Sequence, residues 1–368
     1  MQRYAIAVLY WWLIVGAALA QAPFDLRCEH QVDPIAIDAE TPRFSWKNAQ
    51  DRQTAYRILV ASSREKLVTD VGDLWDSGKV DSRQQQFVPY AGAALSFHQR
   101  GFWKVRAWNE NDTPTPWSET ARFAMGFLSP EDWQAQWVAG QDTAESQDSN
   151  TAMPIFRKVF SLDEKEVECA TFHISGLGHF EASLNGSKVG DHELDPGWTD
   201  YEKTCLYVSF DVTGLLQSGD NTLGVMLGNG MYNVPGGRYT KFTGTFGEPR
   251  LIAELHIVYD DGSTQTIPTD SSWQTDAGPI VFSCVYGGED YDARREQDGW
   301  NTAAFDASAW GAARVVDGPG GVLRAQTMPP ITVKDTLQAV TIKKESEGSY
   351  CADLGLNLSM IPLSLIHI

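Results

Sequence analysis

Along most of the chain, apolar and polar residues alternate in short runs with a period of two, the pattern of half-buried strands rather than of helices. In the first part, residues 42–46, 55–61, 102–108 and 120–124 read as strands divided by turn signals. Within residues 102–108, Trp103, Val105 and Ala107 fall on one face, and Phe102, Lys104, Arg106 and Trp108 on the other. Strands at this spacing predict a small antiparallel sandwich over residues 24–126. A second region, residues 154–345, alternates in the same way at 154–160, 169–174, 180–184 and 204–208. Asn185-Gly186 and Asp261-Gly262 between strand-like runs are hairpin turns, because both central positions of such turns need a positive φ. The expectation is a larger β-sandwich of jelly-roll type with glycine-rich loops. Only residues 64–69 and 304–310 read as helices, both short. Residues 127–153 read as a connector, with a polar stretch at 142–150.

The N-terminus breaks the pattern. Arg3 precedes an apolar run from Ala5 to Ala20 that ends in Ala18-Leu19-Ala20, which reads as a cleavable export signal over residues 1–20. The run is shorter than the ~20 residues that span a bilayer, which disfavours the alternative of a retained anchor. The expected location is the periplasm or the outside of a bacterial cell.

Composition narrows the range of partners. The 368 residues hold 48 Asp+Glu against 29 Lys+Arg, a formal net charge of -19, and a field of that sign repels nucleic acid and anionic membrane. Five cysteines, Cys28, Cys169, Cys205, Cys284 and Cys351, are too widely spaced for a disulfide framework or a zinc site. Cys169 and Cys205 are the one candidate pair; the alternative is that each is a small buried apolar side chain. His173, His179, His192 and His256 read as satisfied or exposed histidines rather than ligands, although His173 and His179 are spaced so that they could share a strand face. GxSxG, HExxH, GxxxxGK[ST] and a strand-linked GxGxxG do not occur. The acidic run from Glu289 to Glu296 encloses Arg294 and Arg295, and an ion-pair cluster accounts for it more simply than catalysis does.

The run FWKVRAWNENDTPTPWSETARF resembles the last two strands of a fibronectin type III domain, which makes Trp103, Trp108 and Trp117 framework residues. The blocks ISGLGHFEASLNGSKVGDHELDPGWTDYEKTCLYVSFDVT, LGVMLGNGMYN, GGRYTKFTGTFGEPRLIAELHI and VYGGEDYDARREQDGW, followed by PGGVLRAQTMPPI, resemble in order the N-terminal, non-catalytic part of bacterial α-L-rhamnosidases of glycoside hydrolase family 78. That resemblance covers residues 24–360. It implies a fibronectin-like sandwich, then a larger sandwich (154–345), then the start of a third, concanavalin-like β domain (346–360). In the family, an (α/α)6 barrel carrying the two catalytic carboxylates follows; here no run of amphipathic helices could build one. Residues 361–368 read as a non-native tail, Leu363–Ile368 matching the in-frame translation of a sequencing adapter, so the reading is of a chain cut short before the barrel.

The resemblance implies no catalytic residues in this chain. Its implied partners are rhamnose-containing glycans and the family's C-terminal catalytic domain. Related modules hold L-rhamnose beside calcium, which makes calcium the one cofactor to consider, near Asn229 and Asn233, with amide and carbonyl oxygens as donors. The matching loops contain Asn185, Asp191, Asp195, Asn229 and Asn233, with Trp198, Tyr232 and Tyr239 as aromatic faces for a sugar. For Asn185 and Asn229, a left-handed turn position is the competing role. The alternatives to an accessory part of a rhamnosidase are a stand-alone exported carbohydrate-binding protein and purely structural β modules.

Overall fold

The structure, a computed structural model, describes residues 21–48, 52–141, 152–234 and 243–356. The expected export signal (1–20), the polar stretch at 142–150, Tyr239 and the expected tail (361–368) lie outside the described residues.

The first sandwich is built from β1 (Phe24–Cys28), β2 (Arg43–Lys47), β3 (Ala55–Ala61), β4 (Trp75–Asp76), β5 (Val88–Pro89), β6 (Arg100–Trp108) and β7 (Ala121–Ala124). A sheet of order β1–β2–β5 packs on one of order β4–β3–β6–β7. The face assignment for β6 holds. Trp103, Val105 and Ala107 are buried, and Phe44 of β2 meets Trp103 at 4.5 Å and Phe123 at 5.7 Å between ring centroids. On the outer face, the Arg106 guanidinium lies 4.5 Å above the Trp117 ring and the Lys104 ammonium 4.8 Å from it. A one-turn helix, α1 (Arg64–Val68), covers this face through Leu67, and the Leu67 carbonyl and Asp70 carboxylate accept hydrogen bonds from Lys104.

The chain continues through β8 (Val138–Ala139), β9 (Pro154–Ser161), β10 (Val167–Leu177), β11 (His179–Leu184), β12 (Ser187–Lys188), β13 (His192–Glu193), β14 (Thr204–Asp211) and β15 (Asp220–Gly228). Then come β16 (Asn233–Val234), β17 (Gly244–Thr245), β18 (Arg250–Tyr259), β19 (Thr264–Pro268), β20 (Gln274–Ala277), β21 (Ile280–Cys284) and β22 (Gly288–Tyr291). The last are β23 (Gly311–Ala312), β24 (Arg314–Val315), β25 (Val322–Ala325), β26 (Ile331–Thr332), β27 (Thr341–Ser346) and β28 (Ser349–Asp353).

One sheet runs β24–β8–β18–β10–β14–β25, with β19 also beside β18; the other runs β12–β11–β15–β9–β20–β23. Phe156, Phe172, Ile174, Leu223, Val225, Leu255 and Trp273 fill the space between them. In the first of these sheets the register puts Phe172 opposite Leu255 on the core side and His173 opposite Glu254 on the outer side. The outer side is buried too, because the first sandwich and the connector lie on it, and this is why β10 and β18 carry near-continuous buried residues. Their pairing is antiparallel like the rest of the sandwich, except that β14 and β25 run parallel, from Thr204 opposite Val322 to Tyr207 opposite Ala325.

Several expectations are corrected. The connector is not all linker: Val138 pairs with Leu251 and Val315, so β8 is a strand of the second sandwich. Residues 304–310 form turns, because the Asp306 carboxylate accepts the Ser308 backbone N–H at 3.0 Å and diverts the chain from a helix. Cys169 and Cys205 are both free thiols. His173 and His179 do not share a face, since the chain leaves one sheet at Leu177 and enters the other at His179. The hairpin β27–β28 opens at Thr341, before the boundary expected at 346, and is exposed throughout.

Candidate functional site

The residues expected to bind a sugar or calcium lie on loops of the second sandwich, but at opposite ends of one strand pair. Antiparallel pairing of β11 with β15 sets His179 against Gly228 and Leu184 against Leu223. Asn185 therefore sits at one end of the pair and Asn229 at the other, on the order of 20–25 Å away at ~3.3 Å per residue.

Asn185 and Gly186 occupy the turn between β11 and β12 with φ of 54° and 81°, the type I′ signature expected of Asn-Gly. The Asn185 amide donates to the Leu215 carbonyl at 3.0 Å and to Asn221 Oδ1 at 2.8 Å, while its own Oδ1 accepts the Thr222 N–H at 2.9 Å. Every polar atom of the side chain is engaged by protein. Asn185→Ala loses three hydrogen bonds and forces a Cβ-bearing residue without a local acceptor into a left-handed turn. The expected cost is about 2–3 kcal/mol, read as a lower urea midpoint with unchanged slope.

At the other end, Asn229 is 1% exposed. Its amide donates to the Ser283 carbonyl at 2.8 Å, and its Oδ1 accepts from the Asn233 amide at 2.9 Å. Asn233 in turn gives its backbone N–H to the Asn229 carbonyl at 3.0 Å. The two asparagines thus tie the loop after β15 to β21. Tyr232 between them is 0% exposed, its hydroxyl donates to the Phe246 carbonyl, and Tyr201 packs on its ring at 5.1 Å. It offers no face to a sugar as the loops stand, and Asn229 keeps its side-chain oxygen for Asn233.

Trp198 stands apart at 62% exposed, the most open tryptophan among the described residues. Nearby, Gly197 donates its N–H to Gln326 Oε1 at 2.8 Å, and the Gln326 amide donates to Asp195. Asp195 is buried and shares a 2.6 Å contact with His192 Nδ1, whereas Asp191 is exposed. Asp195 thus anchors a loop. Among the described residues, no group of three or more His, Cys, Asp or Glu side chains is arranged to hold a metal ion.

The acidic run after β21 resolves into local structure. Asp292 accepts from the Arg294 backbone N–H and from its guanidinium at 2.8 and 2.7 Å, the ion pair expected from the sequence. Burial, with the charge of Glu181 second, raises the Glu289 carboxyl above its ordinary range. Burial and a hydrogen bond to Glu296 push the Tyr291 hydroxyl up to about 12.

Two family models match in order. Residues 23–129 match the Rha78A-like N-terminal immunoglobulin domain, and residues 165–335 the α-L-rhamnosidase N-terminal domain. An α-L-rhamnosidase of Formosa agariphila is 36% identical over 357 residues, covering 89% of this chain and 37% of that protein. One of an Alteromonas species is 36% identical over 345 residues, covering 90% and 37%. The solved α-L-rhamnosidase of Dictyoglumus thermophilum superimposes with a TM-score of 0.81 at 36% identity, over 91% of this chain and 39% of that one. The Streptomyces avermitilis α-L-rhamnosidase complexed with L-rhamnose shares the fold, with a TM-score of 0.83 at 23% identity over 92% of this chain and 49% of that one. The chain therefore spans under half the length of these relatives. With both N-terminal domains matched in order and over a third of residues shared across nine-tenths of its length, the chain belongs to the α-L-rhamnosidases of glycoside hydrolase family 78, as their N-terminal part.

Proposed function

We propose that these two sandwiches are the exported accessory β domains of an enzyme that hydrolyses terminal α-L-rhamnose from plant glycosides or polysaccharides with inversion, and that they position the catalytic part. One observation carries the reading: both N-terminal family domains are matched while the shared region makes up well under half of the relatives' own length. The side chains described here support it, since those with binding chemistry are spent on fixing loops. The purified chain is expected to release no p-nitrophenol from p-nitrophenyl α-L-rhamnoside, whereas a full-length rhamnosidase carrying the same two sandwiches does so. Hydrolysis by the chain alone would overturn an accessory role.

A carbohydrate-binding reading has one observation in its favour, the exposed face of Trp198. It expects calorimetry to show saturable L-rhamnose binding that falls about 2- to 10-fold in Trp198→Ala, because stacking on one aromatic ring contributes about 0.5–1.5 kcal/mol. Loss of that binding in a chelator would bring calcium into the site. An undetectable heat at millimolar sugar rejects this reading.

A further inference from the structure

Three histidines remote from these loops meet where the two sandwiches touch. His98, in the loop before β6, stacks on His256 of β18 with 3.7 Å between ring centroids and 12° between planes, and stands 5.1 Å from His173 of β10. Phe127 lies edge-on to His173 at 4.9 Å, and Phe97 caps His256 at 5.9 Å. His173 is 0% exposed; its Nδ1 is 2.7 Å from Ser209 Oγ. The Nε2 atoms of His173 and His98 are buried without a hydrogen-bond partner. A charged His173 would sit wholly out of water among aromatic rings and other imidazoles, and a charged His98 or His256 would be half-buried against those same rings. Burial first, and neighbouring imidazoles second, hold His98 down at about 2 and His173 at about 3, and burial lowers His256 as well.

The surrounding charges do not relieve this. A cleft of about 70 Å³ beside the trio is walled by Arg100 and Arg122 from the first sandwich and by Asp211 from the second. Arg100 is held by Glu168 at 2.5 Å, with the Cys169 thiol 3.8 Å away. Glu254 stands opposite His173; one of its oxygens takes the N–H groups of Gln134 and Ala135, the other is buried without a partner, and burial raises its carboxyl toward the neutral form. Asp132 of the connector is occupied by the N–H groups of Leu128 and Ser129. Ser209 and Tyr207 face the trio from β14, and Thr266 lies opposite His256 on β19, none of them a counter-charge at neutral pH.

We propose that His98, His173 and His256 form an acid-sensitive latch: neutral, they hold the first sandwich against the second, and protonation releases the two domains from one another while each stays folded. The sign follows from the lowered pKa values. Undocked histidines take protons near their ordinary value of about 6.5, docked ones well below it, so the released form binds more protons. Docking is at full strength above about pH 6.5 and weakens as pH falls. Each proton taken up multiplies the released-to-docked ratio by up to ~10 per pH unit, and two protons by up to ~100.

The test is hydrogen exchange on the whole chain from pH 7.5 to 5.0, corrected for intrinsic rates. Segments 94–99 and 127–135 are expected to exchange at least ~10-fold faster at pH 5.0 than at 6.0 while the strands of both sandwiches keep their protection. His98→Phe keeps a ring in the stack but cannot take a proton, and should blunt that acceleration. Titration of the histidine ring signals by NMR in the unaltered protein reads the same groups without a variant. Unchanged exchange down to pH 5.0, an equal acceleration in His98→Phe, or three imidazoles that titrate near 6.5 while the domains remain docked would each overturn the latch.

Discussion

Trp103→Ala is expected to unfold the first sandwich well before the second, lowering its melting temperature by about 15–30 °C. Trp103 is fully buried at the centre of that sandwich, against Phe44. Truncating a buried tryptophan to alanine costs about 3–5 kcal/mol through lost transfer energy and the cavity left behind. A domain of about 100 residues has only ~5–15 kcal/mol in total, and each kcal/mol moves its transition by about 4–8 °C. The neighbours cannot close the gap easily, because Val105 and Ala107 are held in register with β3 and Phe123 is fixed on β7. Scanning calorimetry should resolve a shifted first transition and a second one displaced by only a few degrees. A shift below about 5 °C would mean that the core collapses around the missing ring, and the packing account of this sandwich would fail.

Arg157→Ala is expected to cost the second sandwich about 3–5 kcal/mol, because it leaves several buried acceptors without donors and opens a cavity under the loop. Arg157 of β9 is 3% exposed, and burial lowers its pKa, though a guanidinium stays charged. Its Nε donates to the Trp300 carbonyl and its Nη2 to the Thr302 carbonyl, both at 2.9 Å, and its Nη1 reaches Gln274 Oε1 at 3.3 Å. The guanidinium also lies 5.5 Å from the Phe305 ring. One side chain thus clasps the loop that brings Trp300, Phe305, Ala307 and Trp310 onto Ile155 and Met226. Truncation leaves two carbonyls without donors and frees that apolar loop. The urea midpoint should fall, and backbone exchange at residues 297–310 should rise ahead of the rest of the sheet. Arg157→Lys keeps the charge but not the planar fork, and is expected to recover less than half of the loss. Recovery to the original midpoint would show that charge, rather than geometry, holds the loop.

The architecture was legible because its signals are local. Asn185-Gly186 and Asp261-Gly262 mark hairpins by backbone chemistry alone; Asn185, Gly186 and Gly262 take positive φ, whereas Asp261 does not. The alternation in residues 102–108 likewise separates Trp103, Val105 and Ala107 from Phe102, Lys104, Arg106 and Trp108, and the structure makes the first set the core face. The candidate site was not legible in this way. Asn229, Asn233 and Tyr232 have the chemistry of ligand donors, and the same amides and hydroxyl close loops equally well; which use applies depends on Ser283 and Phe246, some fifteen to fifty residues further along. His98 gave no periodic or motif signal, because its meaning comes from β10 and β18, strands that meet it only across a domain boundary. The turns at 304–310 misled as a helix for a related reason: Asp306 and Ser308 compete for the backbone locally, and Arg157 fixes the outcome from a distant strand.

The parallel pairing of β14 with β25 sets a timetable for synthesis. The first sandwich has all of its strands once Ala124 has left the ribosome, but Thr204–Tyr207 wait for Val322–Ala325, about 120 residues later. At roughly 5–20 residues per second, that edge stays open for on the order of 6–24 s. An unpaired strand edge is the part of a nascent β protein that chaperones must shield and that wrong partners can capture. The strand that closes it also fastens the two sandwiches, since the Ala325 N–H donates to Asp38 at 3.1 Å. Sealing the sheet is thus a late event, completed by four residues near the end of this region's translation, and the same strand adds one more tie between domains whose histidine contacts are already in place.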